Sequence, residues 1–93
     1  MSWQGSPAFD FALRSVFYNA PWDSGVYVIL SRNRWLYVGA SPSIRGSLLR
    51  HLSGGDPRMR QHQPTHFMFE RVSAADRVVR QWELIQEFQP VCN

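Results

Sequence analysis

The sequence contains no lysine; all ten of its basic residues are arginine. It contains a single cysteine, Cys92, so no disulfide can close within the chain, and no Cys/His cluster has the spacing of a zinc site. No apolar run approaches the ~18 residues of a membrane span. Asp10 and its polar neighbours interrupt the N-terminal stretch, which does not read as a signal peptide. Internal repeats and low-complexity segments are missing as well. These absences together predict a cytoplasmic chain with no membrane partner and no disulfide or zinc scaffold. With 93 residues the expectation is one domain over 1–93, with a lead-in and helix over 1–23.

What is present supports a small globular core. Apolar residues make up 44%, with four Trp, three Tyr and six Phe. The net charge is +3, which alone points only weakly to nucleic acid. The arginine bias adds to it, because a guanidinium binds phosphate through a planar fork and stacks on bases. A GC-rich coding sequence would produce the same bias with no functional meaning.

Two runs organise the chain: Gly25 to Leu30 and Trp35 to Gly39. Both are rich in β-branched and aromatic residues, and Ser31-Arg32-Asn33-Arg34 breaks them. This pattern predicts a hairpin with Asn33 at its turn. Each strand carries a tyrosine beside a glycine, Gly25-Val26-Tyr27 and Tyr37-Val38-Gly39. Paired, the tyrosines approach each other, and the glycines admit another backbone or a phosphate. Core packing is the competing explanation for all four.

Residues 1–6 read as a flexible lead-in. Phe9, Leu13, Val16 and Phe17 recur at helical spacing, predicting a helix over 8–18 that Pro21 ends. Ser41 and Pro42 suit a helix start, and Ile44, Leu48 and Leu52 line one face of a helix over 42–52, closed by Gly54-Gly55. Residues 56–64 read as a polar loop with Arg58, Arg60 and His62. Residues 65–72 alternate as a third strand, with Phe67 and Phe69 on one side. A last helix starts at Ser73 to Asp76 and runs to Phe88, with Pro90 as its stop. Val78, Trp82, Ile85 and Phe88 form its expected apolar stripe, with Gln81 at the margin. The order α-β-β-α-β-α predicts a small α+β domain.

The two tyrosine motifs, the helix carrying Leu48-Leu49-Arg50-His51 and the C-terminal Leu84-Ile85, Pro90 and Asn93 resemble the GIY-YIG nuclease family over residues 24–93. The resemblance implies a three-stranded antiparallel sheet flanked by helices. It also implies cleavage of a DNA phosphodiester with a divalent metal, Mg or Mn. Tyr27 would then act as general base or its relay, Tyr37 would position nucleophile and phosphate, and His51 and Asn93 would fall on family positions. The two charged positions depart. Ser47 stands where the family has arginine. At ~100° per residue Arg45 points about 160° away from it, and Arg50 only about 60°, so Arg50 is the substitute. Gln81 stands where the family has its metal-binding glutamate, and Glu83 is turned about 200° from it. A neutral amide binds Mg²⁺ far more weakly than a carboxylate does.

The expectation is a DNA-binding domain with weak or lost cleavage, its Arg45, Arg50, Arg58 and Arg60 on phosphates and Gly39 at the cleft floor. Two alternatives stand beside it. One is an active endonuclease using Tyr27, Tyr37, His51 and Arg50. The other is a protein-interaction module anchored by Trp3, Trp22 or Trp35.

Overall fold

In the computed structural model, residues 3–32 and 34–93 are described. The elements in chain order are β1 (Phe9–Asp10), α1 (Leu13–Asn19), β2 (Gly25–Ser31), β3 (Arg34–Ser41), α2 (Ile44–Gly54), α3 (Pro57–Gln61), β4 (His66–Arg71) and α4 (Arg77–Phe88). The strands form one antiparallel sheet in the order β1-β4-β2-β3. The α+β class holds, and the described sheet has four strands rather than three. The extra one arises because Phe9 pairs with Phe67 and Ala12 is extended. The first helix therefore covers 13–19 and not 8–18.

β2 lies at the centre, and six of its seven residues are buried. That follows from helices on both faces, which makes a strand read as one continuous apolar run. Tyr27, Ile29, Leu36, Phe67 and Phe69 pack with Val16, Ile44, Leu48 and Met59 on the face covered by α1, α2 and α3. Val26, Val28, Leu30, Val38 and Met68 pack with Leu84 on the face covered by α4.

The hairpin is as expected, with Ser31 opposite Arg34. Arg32 takes the left-handed conformation of its turn, φ 57°; Asn33 lies outside the described residues. One irregularity shapes everything above it. Leu30 pairs with Trp35, but Ile29 pairs with Tyr37, so Leu36 is an extra residue on β3. A bulge flips the faces of all residues beyond it. Without it Tyr37 would lie opposite Val28 and face α4. With it Tyr37 shares the face of Tyr27.

Four further boundaries differ from the sequence reading. Ser43, not Ser41, caps α2, its hydroxyl accepting from the Gly46 N–H. The polar loop contains α3, because Asp56 accepts from the Arg58 N–H, Pro57 opens the turn and Met59 is buried in the core. The lead-in packs on the sheet: Ser6 N–H donates to the Phe69 carbonyl and Phe69 N–H to the Ser6 hydroxyl, and Trp3 meets Trp35 edge-on. On α4 the buried side is rotated. Leu84 is fully buried, while Val78 and Trp82 are 66% and 62% exposed.

Candidate functional site

Tyr27 projects from β2 under α2. Its ring is 4% exposed, and its Oη lies 2.9 Å from His51 Nε2. The ring lies across Gly39, its partner on β3. A Cβ at Gly39 would stand 2.3 Å from Tyr27 Cζ. Gly39 therefore makes room for the tyrosine, and the close approach anticipated from the glycine is to a ring of the protein itself. The Tyr37 ring centroid lies 6.1 Å from that of Tyr27 and 5.3 Å from that of His51. Three rings from β2, β3 and α2 thus meet at one point.

Burial, with the neighbouring Tyr37 as the second cause, pushes the Tyr27 phenol well above its ordinary value. At neutral pH it keeps its proton. Burial, then Arg50, holds the His51 imidazole below its ordinary value, with Asp56 opposing. The imidazole is thus neutral at pH 7, and the two groups form a path along which one proton can pass. The other ring nitrogen, Nδ1, is buried and has no hydrogen-bond partner among the described residues.

Beside this pair runs a chain of hydroxyls. Ser47 Oγ donates to Ser41 Oγ at 2.6 Å, and Arg50 Nη2 donates to Ser47 Oγ at 3.1 Å. Ser47 and Ser41 are both buried, and Arg50 is exposed. Ser47 thus holds an arginine from the next turn of the same helix. Tyr27, Ser47, Arg50, His51, Ser53, Gly54 and Gly55 line an open cleft of about 430 Å³. Ser41 and Ser53 were missing from the sequence reading as site residues, and Ser47 entered it only as the residue standing where the family has arginine.

The other arginines named from sequence behave differently. The Arg45 guanidinium lies 4.7 Å from the Trp22 ring centroid and 5.7 Å from that of Phe17, and its Nε donates to the Ala20 carbonyl. Arg58 grips Asp56 through Nε and Nη2. The fork of Arg58 is taken up by a carboxylate, and Arg45 is held in place through Nε and the two rings. Arg60 is exposed on α3. Of the three tryptophans, Trp3 and Trp35 are engaged on the α4 face, where Trp35 stacks on Phe88 at 3.9 Å between ring centroids; Trp22 is exposed beneath Arg45.

Gln81 and Asn93 come together at the outer edge of β3. Gln81 Nε2 and Asn93 Nδ2 both donate to the Val38 carbonyl, at 3.1 and 3.0 Å, and the Val38 N–H donates to Asn93 Oδ1 at 2.7 Å. Next along, Cys92 N–H donates to the Leu36 carbonyl and Val91 N–H to that of Trp35. The C-terminal segment and one helix side chain thereby cover an edge that would otherwise present unpaired backbone groups.

These residues do not fit a divalent cation. Gln81 donates an Nε2 N–H to the Val38 carbonyl and brings no charge. Among the described residues no three His, Cys, Asp or Glu side chains are grouped to hold a metal. Glu70 and Glu83 are paired with Arg80, and Asp56 is paired with Arg58. Hard cations of this kind need oxygen ligands, with at least one or two carboxylates.

No helix among the described residues is long and apolar enough to cross a membrane. No protein-family model matches the sequence, and no curated protein matches it. Solved structures do. The magnesium-bound GIY-YIG N-terminal endonuclease domain of UvrC from Thermotoga maritima superimposes with a TM-score of 0.74 at 18% identity, over 86% of this chain and 93% of that one. A tyrosine-to-phenylalanine point mutant of that domain, bound to its catalytic divalent cation, gives 0.73 at 16% identity, over 88% of this chain and 98% of that one. The chain has the GIY-YIG endonuclease fold.

Proposed function

We propose that the chain is a DNA-binding domain built on a nuclease fold, with metal-dependent phosphodiester cleavage weak or lost. One observation carries this reading. The cleft gathers Tyr27, His51 and Arg50, while Gln81, where the sequence resemblance places the metal-binding glutamate, spends its amide on the Val38 carbonyl. The proton-handling and phosphate-binding half of a nuclease site is assembled, and the half that would hold a cation is a backbone clamp.

In this reading Arg50 takes the phosphate. Its Nη2 bond to Ser47 fixes the guanidinium at the cleft mouth and leaves other donors of the fork open to a phosphate oxygen. Arg60 adds exposed charge on the neighbouring α3. Arg58 contributes less, because its charge is already paired with Asp56, and Arg45 lies on the Trp22 side of α2. Tyr27 and His51 bound the cleft floor, where the phenol or imidazole meets a bound oxygen. A divalent metal, Mg or Mn, would supply the charge neutralisation that cleavage of a phosphodiester requires, and the fold neighbours bind one.

The same geometry favours a second reading, an active endonuclease, at one point only: the Ser47-held Arg50 stands within one turn of the arginine position. Nicking of supercoiled plasmid with Mg²⁺ or Mn²⁺, beside Tyr27→Phe, separates the two. The expected result is retention of the plasmid on a gel without nicking. Retention should weaken with salt at a log–log slope of about −0.9 per phosphate contacted. Metal-dependent nicking that disappears in Tyr27→Phe would replace this reading with the endonuclease. Neither cutting nor retention would favour a protein partner, with the exposed Trp22 as an anchor.

A further inference from the structure

A second cavity adjoins the cleft. Leu13 and Phe17 of α1 and Leu49, Arg50, Leu52 and Ser53 of α2 line a groove of about 570 Å³. Arg50 and Ser53 belong to both cavities, so the apolar groove opens beside the cleft with a guanidinium between them. Leu13 and Phe17 are 61% and 48% exposed, an unusual amount of apolar surface for so short a helix.

We propose that this groove receives an unpaired nucleobase whose adjoining phosphate lies on Arg50. This deepens the DNA-binding reading and rests on it. Three observations support the occupant. The groove carries one cation and no carboxylate among its lining residues, which suits a ligand that is anionic at one end and flat and apolar at the other. Phe17 is braced from the Arg45 side by a guanidinium 5.7 Å from its ring centroid, and Arg45 is itself fixed by its 2.6 Å bond to the Ala20 carbonyl. The platform is thereby ordered before any ligand arrives, which lowers the entropy lost on binding.

The third observation is the position of the groove beside Arg50. A duplex turns its phosphates outward and keeps its bases stacked inside, so a paired nucleotide cannot place its base in a groove next to the contacted phosphate. Only an unpaired or extruded base reaches it, and extruding a paired one costs a few kcal/mol. The preferred ligand is therefore DNA with a single-stranded segment, such as a tail or a flap, and not an intact duplex. Base stacking on an aromatic ring tolerates any sequence, so no base preference is expected.

The test compares two fluorescently labelled DNAs by anisotropy: a blunt duplex, and the same duplex with a short single-stranded tail carrying a fluorescent base analogue at its first unpaired position. Wild-type protein should bind the tailed DNA about tenfold more tightly, the analogue changing in intensity on binding. In Phe17→Ala, and separately in Leu13→Ser, the ratio of the two affinities should fall to about one. Thermal melts of both variants establish that they fold, and the exposure of the two side chains makes this the expected result. Equal binding of both DNAs by the wild type, with no response in either variant, overturns the groove assignment and leaves DNA binding intact. No binding of either DNA overturns both and gives the groove to an apolar protein segment instead.

Discussion

Two neighbouring regions of the β2–β3 pair, Tyr27 opposite Gly39 and the adjacent Val38, have opposite characters. Around Tyr27 the polar atoms of Arg50, His51 and Ser47 line an open cleft, and one imidazole nitrogen has no partner among the described residues. Around Val38 the amides of Gln81 and Asn93 bond to the backbone. Buried polar groups are normally paired, and exceptions concentrate where chemistry or ligand binding occurs. The contrast teaches that the tyrosine side leaves polar atoms open to the cleft, whereas on the asparagine side they are used by the fold. Most of the side chains that the resemblance singles out thus divide between two jobs.

The sharpest way to break the cleft side is Gly39→Ala. The added Cβ would overlap the buried Tyr27 ring, which can only leave by giving up the His51 contact. Overpacking of this kind costs about 1–3 kcal/mol or more; urea denaturation should show the upper end of that range. A variant as stable as wild type would mean that the ring has free space it does not have here. On the edge side, Gln81→Glu removes the N–H donor and sets a carboxylate against the Val38 carbonyl. A loss of about 1–2 kcal/mol is expected in EDTA. If a carboxylate at position 81 holds a metal, Mg²⁺ raises the Tm of this variant and not that of the wild type. Equal stability in EDTA would remove the clamp role from Gln81.

Asn93→Ala should cost about 1 kcal/mol, with faster hydrogen exchange at the Val38 amide as its specific mark. Unaltered exchange there would show that the edge is held by the backbone pairing of Val91 and Cys92 alone. The smallest effect is a pH dependence. The His51 imidazole is held below its ordinary value chiefly by burial. The unfolded chain therefore binds this proton more readily than the folded one. Stability is fully present above about pH 6.5 and declines as pH falls towards the folded value. His51→Gln should flatten that part of the profile, and an identical profile in the variant would place the titration elsewhere.

Part of the grouping of side chains in the candidate site was legible because it rests on local pattern. The Tyr-Gly pairs sit in strands marked by β-branched and aromatic residues, and the roughly 60° between Ser47 and Arg50 is a property of any helix. Their meeting at 3.1 Å follows from that angle. The Asp56-Pro57-Arg58 helix start was equally local, yet its polar composition read as a loop. The fate of Arg45 was not legible, because Phe17 and Trp22 reach it from another element. Nor was the role of Gln81, whose partner lies 43 residues away. On α4 the sequence offered one apolar stripe, and packing on the sheet kept its Ile85 and Phe88, added Leu84, and left Val78 and Trp82 exposed.

By itself the sequence determined the α+β class, the hairpin, the two tyrosines beside glycines, and the uncharged residues at positions 47 and 81, since these depend on residue type and short periodicities. Tertiary structure decided the fourth strand, the facing of Tyr37 and the duties of Gln81 and Asn93. The bulge at Leu36 shows why. A single extra residue reverses which face a strand presents, and its place is set by pairing across the sheet and by the helices that cover it, which no local pattern encodes.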